Sequence, residues 1–392
     1  KQFTLDIRDN LYARAESLTG YAEPGANADT TKQGSIPESE KKKDAKEPEP
    51  PKTNLVPDVI PEEVIWACTT CRACEDVCPL FITYVEKIVD VRRNLVLEKG
   101  EIPGELANAL RGVENNQNPW NLAAMDRSAW AEGLEVPRMS DDPEVDVLFW
   151  VGCAASYDDR AKKIAVSMVK LLRAAGVKFA ILGDEEQCCG DLVRRTGNEA
   201  LWHELAKANV EILNGYKVKR IVTMCPHGFN TLLNEYPDYG GHYVVMSHGE
   251  YLADLLKQGK LKPEKEVVKR VVYHDSCYLG RYNDVYDSPR QVLSAVPGTR
   301  LLEIERSRRK GLCCGAGGGQ HFKEEEHARK GAESVRVNQR RVEQLLEAKP
   351  DCMATACPFC MTMISDGLKA KNKEEEISQM DIAEILARSC GL

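Results

Sequence analysis

No run of apolar residues in this 392-residue chain approaches the roughly 18 that a membrane-crossing helix needs, and no signal-peptide pattern is present. By itself the sequence therefore reads as a soluble chain. Positive charge is also scarce. Lys and Arg number 53 against 61 Asp and Glu, a net charge of -8, which argues against nucleic acid as a partner because phosphate contacts need clustered cations. A mildly acidic chain suits a basic redox partner better. The first residue is Lys1 rather than Met, which suggests a processed or fragmentary polypeptide. Disulfide-type spacing is lacking too: the fifteen cysteines fall in Cys-x-x-Cys and Cys-Cys runs, poor geometry for stapling a backbone and good geometry for metal. Thiols that must stay reduced to hold iron place the chain in the cytoplasm or at its membrane face.

The cysteines are patterned. His274-Asp275-Ser276-Cys277 is followed by Cys313-Cys314-Gly315 and then by Cys357-Pro358-Phe359-Cys360, so five thiols converge from three loops. Zinc closes its shell with four ligands, whereas an iron–sulfur cluster takes more because each iron needs its own. An earlier copy runs through Cys153, Cys188-Cys189-Gly190 and Cys225-Pro226-His227-Gly228. The first cysteines of the two copies are 124 positions apart and the paired cysteines 125, which marks an internal duplication. Gly228 stands where the later copy has Cys360. Four thiols can hold a cubane, a distorted or partial cluster, or serve as a scaffold that has lost its metal. Further upstream, Cys68-Thr69-Thr70-Cys71-Arg72-Ala73-Cys74-Glu75-Asp76-Val77-Cys78-Pro79 has the spacing of the bacterial ferredoxin run. There three thiolates grip one cubane and the fourth points toward another cluster. A zinc knuckle fits less well, because its cysteine pairs stand further apart.

Hydrophobic patterning predicts an α/β fold. VDVLFWVG (145–152), VKFAIL (177–182), RIVTM (220–224), VVYHD (271–275), LLEIE (301–305) and CMATA (352–356) read as buried strands, with helices over 159–175 and 198–214. The cysteines follow the carboxyl ends of strands, where open α/β sheets place their sites. Two α/β units related by a pseudo-twofold are therefore expected. Residues 1–20 carry helical periodicity, 23–53 are a charged, Pro-rich linker or extended wrap, 82–99 form a helix with Arg92 and Arg93 facing solvent, and 100–140 look irregular. Trp120 and Trp130 in that last stretch either shield a cluster or pack ordinarily. The divisions that follow are 1–54, helix and linker; 55–140, a small α-helical ferredoxin-like 4Fe-4S domain; 141–262, the first unit; and 263–392, the second.

Three other features bear on chemistry. Gly315, Gly317 and Gly318 follow two candidate ligands, so close approach of backbone to a cofactor explains them better than a nucleotide loop does. His274 and Asp275 either handle protons as catalytic groups or orient the loop. Cys352 reads as a packed thiol, and Cys390 has no partner motif.

The doubled Cys-Cys-Gly motifs, Tyr273-His274-Asp275-Ser276-Cys277 with Leu279-Gly280-Arg281, and Cys314-Gly315-Ala316-Gly317-Gly318-Gly319 resemble the CCG-domain iron–sulfur oxidoreductases over roughly residues 55–390. That group includes the B and D subunits of heterodisulfide reductase and the iron–sulfur subunits of glycolate, lactate and glycerol-3-phosphate oxidising systems. The resemblance is strongest to the heterodisulfide-reductase-D-like halves of membrane-bound proteins, and it implies duplicated CCG units behind a ferredoxin-like domain. It also implies a noncubane 4Fe-4S cluster on Cys277, Cys313, Cys314, Cys357 and Cys360, a 4Fe-4S cubane on the ferredoxin run, and a cluster of unsettled type on Cys153, Cys188, Cys189 and Cys225. A second ferredoxin run would lie upstream of Lys1. The implied partners are electron-transfer flavoprotein or another flavin subunit, a cytochrome-b-like membrane part and menaquinone. The implied function is electron relay at the cytoplasmic face of the membrane, the alternatives being disulfide reduction at the five-cysteine cluster or service as the iron–sulfur subunit of a 2-hydroxy-acid or glycerol-3-phosphate oxidising complex.

Overall fold

The computed structural model describes residues 2–14, 54–323 and 335–392. The charged stretch at 23–53 lies outside the described residues. The chain divides into two compact units, Lys1–Ala67 and Cys68–Leu392. The first holds the helix Gln2–Ala13 and the short helix Glu62–Trp66, where the Trp66 indole donates to Glu62 across one turn at 3.1 Å. All fifteen cysteines lie in the second unit.

Two parallel four-stranded sheets organise that unit. Strands β1 (Val147–Trp150), β2 (Phe179–Ala180), β3 (Arg220–Thr223) and β4 (Val244–Ser247) run in the order β2-β1-β3-β4. Strands β5 (Arg270–Tyr273), β6 (Arg300–Leu302), β7 (Cys352–Thr355) and β8 (Ser378–Asp381) repeat it as β6-β5-β7-β8. The duplication in sequence is thus a duplication of topology. β1 and β7 are buried along their whole length, as parallel strands covered on both faces must be. In each sheet the two central neighbours, β1 with β3 and β5 with β7, end at cysteine-bearing loops. Cys153 opens the helix after β1, Cys225 caps the helix after β3, and Cys357 caps Pro358–Ala370 after β7. Neighbouring strand ends therefore bring their thiols together without long connections.

Strands β4 and β8 are not among the expected strands. Both are edge strands; β8 (SQMD) is polar and half-exposed and lacks the apolar signal of the central strands, whereas β4 (VVMS) is apolar and only partly buried. Each ends in the same device. Ser247 and Asp381 terminate their strands and cap the next helix, with Glu250 and Glu384 completing reciprocal capping boxes. The two sheet domains are braced by His248 Nε2 against Asp381 Oδ1 at 3.0 Å and by the Arg160 fork on Glu384 at 2.9 and 2.7 Å.

Residues 100–140 are less irregular than expected. Gly104–Asn116 is a regular helix that buries Leu106, Ala109, Leu110 and Val113, an i, i+3, i+4, i+7 stripe masked by two glycines and terminal asparagines. The expected helix over 82–99 is α-helical from Tyr84 to Arg93 and continues as a wider turn over Asn94–Lys99. Trp130 packs edge-on against Phe149 at 6.5 Å in the core, and Trp120 joins His321, Phe322 and Phe359 in an aromatic cluster.

Candidate metal centres

At the second copy the five thiols of Cys277, Cys313, Cys314, Cys357 and Cys360 form one buried cluster. Cys277 touches Cys313, Cys314 touches both Cys313 and Cys360, and Cys360 touches Cys357. Amide groups converge on the sulfurs as well: Gly315 N donates to Cys313 Sγ at 3.2 Å and Cys360 N to Cys357 Sγ at 3.4 Å. Crowding splits the acidities. Contact with neighbouring thiols pushes Cys277 and Cys360 well up, and hydrogen bonds from Cys313 and Cys360 pull Cys314 down to about 5. Around the thiols, buried polar atoms of His274 (Nε2), Ser276 (Oγ), Arg281 (Nη2) and Arg341 (Nη2) have no partner among the described residues. A soft, all-sulfur donor set ringed by unsatisfied donors fits an iron–sulfur cluster, whose sulfides accept such hydrogen bonds.

The ferredoxin run packs directly on this site. Cys71 touches Cys313, with Cys68 and Cys74 beside it, while Cys78 stands apart with its sulfur 3.8 Å from Tyr84 Oη. Arginine and tyrosine side chains hold the run by its carbonyls: Arg281 Nε donates to Cys71 O at 2.6 Å, and Tyr282 Oη to Thr70 O at 2.6 Å. Arg92 was expected to face solvent. It is fully buried, and its guanidinium reaches Cys68 O at 2.8 Å, Arg195 O at 2.9 Å and Gly318 O at 3.0 Å. The glycine loop makes the fit possible. A Cβ on Gly317 would lie 2.3 Å from Thr69 O, and one on Gly318 2.3 Å from Cys68 O. The close approach anticipated for these glycines is thus to the backbone of the ferredoxin run.

At the first copy Cys153, Cys188, Cys189 and Cys225 line a cavity of about 60 Å³. Its opposite wall comes from the second copy through Gly317, Gly318, Gly319, His321, Phe322 and Phe359. Cys153 touches Cys188 and is pushed well above the ordinary thiol range by that contact and by burial. Its sulfur lies 3.5 Å from Arg127 Nη2. That arginine pairs at 3.1 Å with Glu186, which also accepts from Val151 N at 2.9 Å and Gly152 N at 2.8 Å. A Cβ at Gly228 would meet Cys189 Sγ, Thr223 Oγ1 and Trp150 Nε1 at 3.9 Å each, so a side chain there is admitted without a clash. These four thiols also fit a cluster. Cys225 feels the charge of Cys357, which makes the two sites neighbours.

Of the two groups considered for catalysis, Asp275 is fully engaged: Arg290 donates to both oxygens at 2.6 and 3.1 Å, and Arg308 N donates at 2.7 Å. His274 sits against Cys314 and Cys360, its ligand atom within 4.8 Å of theirs. Cys352 is buried within β7, Cys390 follows the last helix, and all fifteen cysteines are free of disulfides. Arg127, Glu186 and Arg341 escaped the sequence reading because no motif marks them.

The family described as a cysteine-rich CCG domain matches residues 147–232 and 271–365, one match on each sheet. Over 335 residues the chain is 36% identical to the D subunit of a dihydromethanophenazine:CoB–CoM heterodisulfide reductase from Methanosarcina barkeri, covering 84% of this chain and 78% of that one. The chain belongs to the CCG iron–sulfur oxidoreductase family. Two bacterial members are more similar. An EtfAB:quinone oxidoreductase of Syntrophomonas wolfei is 47% identical over 348 residues (87% of this chain, 49% of that one), and the probable iron-sulfur-binding oxidoreductase FadF of Bacillus subtilis is 47% identical over 343 (86% and 48%). The chain spans about half the length of these two relatives. Iron–sulfur oxidoreductase and heterodisulfide reductase subunit are what these relatives are named. Among the described residues no helix is long and apolar enough to cross a membrane.

Proposed function

We propose that this chain relays electrons between a flavoprotein-type partner and a membrane quinone pool, working at the cytoplasmic face beside a cytochrome-b-like membrane part. One observation carries the reading. The thiols fall into two adjoining groups: Cys71 packs with Cys277, Cys313, Cys314, Cys357 and Cys360 in one buried cluster, and Cys153, Cys188, Cys189 and Cys225 line a cavity whose wall includes Phe359, between Cys357 and Cys360. Cys68, Cys71 and Cys74 would hold three corners of a 4Fe-4S cubane, with Cys78 serving a second cluster. Cys277, Cys313, Cys314, Cys357 and Cys360 would hold a noncubane cluster, and Cys153, Cys188, Cys189 and Cys225 a third. Such centres supply one-electron redox steps; the protein supplies position, dryness and hydrogen bonds. Burial of the second-site thiols keeps water from them, the Gly315 and Cys360 amides fix sulfur orientation, and Arg92 and Arg281 lock the ferredoxin run against the neighbouring site. The name of the Syntrophomonas wolfei relative, which joins EtfAB with quinone, favours electron-transfer flavoprotein and a quinone such as menaquinone as partners.

The archaeal relative's name supports a second reading, reduction of a coenzyme disulfide at the five-cysteine site. Anaerobic purification with iron and sulfide counts, electron paramagnetic resonance, and stopped-flow reduction by a reduced electron-transfer flavoprotein test both. Relay predicts rapid cluster reduction and reoxidation by a soluble menaquinone analogue with no disulfide turnover. Zinc in place of iron, or turnover of the disulfide alone, overturns it.

A further inference from the structure

His274 is 1% exposed, and its two ring nitrogens have different surroundings. Arg341 Nε donates to Nδ1 at 3.0 Å, and that arginine is itself fully buried and fixed by Arg306 O at 2.8 Å and Gln344 Oε1 at 3.2 Å. A guanidinium nitrogen can only donate, so Nδ1 must accept, and the proton of the neutral ring resides on Nε2. Nε2 has no partner among the described residues, although the ring stands with Cys314 and Cys360. A metal ligand would have to offer a lone pair at that nitrogen; this ring offers an N–H.

The duplication supplies an independent parallel. Three residues before Cys277 stands His274, and three residues before Cys153 stands Trp150, which lines the first-site cavity. An indole nitrogen is a donor only and cannot ligate iron. Both copies therefore present an N–H at the same register of the motif.

We propose that His274 is a hydrogen-bond donor to the iron–sulfur centre of the second copy and not one of its ligands, with Arg341 as the positioning residue that fixes its tautomer. The inference rests on the cluster reading of the previous subsection. A donor aimed at cluster or cysteine sulfur favours the more negative, reduced form, so its loss lowers the potential.

The test uses the full chain purified anaerobically with its clusters. Redox titration followed by electron paramagnetic resonance should show the second-site signal moving to lower potential in His274→Leu with iron and sulfide per chain unchanged, and moving back in His274→Asn, which retains an N–H. An unshifted potential in His274→Leu, or loss of iron from that site, overturns the proposal. A measurement without substitution guards against misfolding: pulsed resonance of wild-type protein carrying ¹⁵N-histidine should give a weak nitrogen coupling and a proton that exchanges in D₂O. A strong coupling typical of a directly bound nitrogen overturns it. Protein that purifies without iron or sulfide would remove the underlying cluster reading, and the inference with it.

Discussion

Replacing Arg127 by Met tests how the first site is held together. The guanidinium and Glu186 are 3% and 2% exposed, and Glu186 also anchors the amides of Val151 and Gly152, the two residues that lead into Cys153. Removing one partner of a buried ion pair leaves an uncompensated charge and costs about 3–5 kcal/mol. At tenfold per ~1.4 kcal/mol, the amides that depend on Glu186 should exchange roughly 10²- to 10⁴-fold faster. Hydrogen exchange resolved at Val151 and Gly152, measured anaerobically, reads this directly. Arg127→Met with Glu186→Gln removes both charges and should recover most of the protection, because a neutral side chain no longer needs a counter-charge. A change below tenfold in the single variant, or a double variant no better protected than the single, refutes the claim that this pair supports the Cys153 loop.

Three further outcomes follow from the same geometry. Gly318→Ala adds a Cβ 2.3 Å from Cys68 O at a left-handed φ of +64, whereas Gly176→Ala meets nothing within 4 Å at φ +66. The second should cost only the ~1–2 kcal/mol of backbone strain, while the first should also erase the cubane signal of the ferredoxin run; equal effects in thermal unfolding and resonance spectra would refute the close-approach argument. Cys360→Ala should lower iron bound per chain and abolish the second-site signal, and Cys352→Ala should leave both intact, as iron analysis will show. Gly228→Cys places a side chain near Cys189 with no contact closer than 3.9 Å; it should raise iron content or convert the first-site signal toward that of the second, and unchanged iron together with an unchanged signal would count against a cluster there.

Much of this arrangement was legible in the sequence because it depends on short-range rules. Continuous apolar runs such as Leu148-Phe149-Trp150 announce strands buried on both faces, and ligands placed just after them must meet where central strands end side by side. Strand β8 was illegible for the converse reason: the edge strand Ser378-Gln379-Met380-Asp381 carries no buried run, although its closing Asp-x-x-Glu signals the helix that follows, while the short run Val244-Val245-Met246 of β4 simply escaped the sequence reading. Arg92 misled because a lone arginine on a helix normally finds water. Its burial depends on three carbonyls contributed by segments far apart in the chain, a long-range condition that no local pattern encodes. Arg341 was invisible on the same grounds.

The shared wall of the first cavity has a consequence for how the repeat can be divided. Since Gly317–Phe322 and Phe359 of the later copy roof the thiols of the earlier one, cutting the chain between the repeats would not release two working halves; it would strip the cover from Cys153, Cys188, Cys189 and Cys225 and open them to water and oxygen.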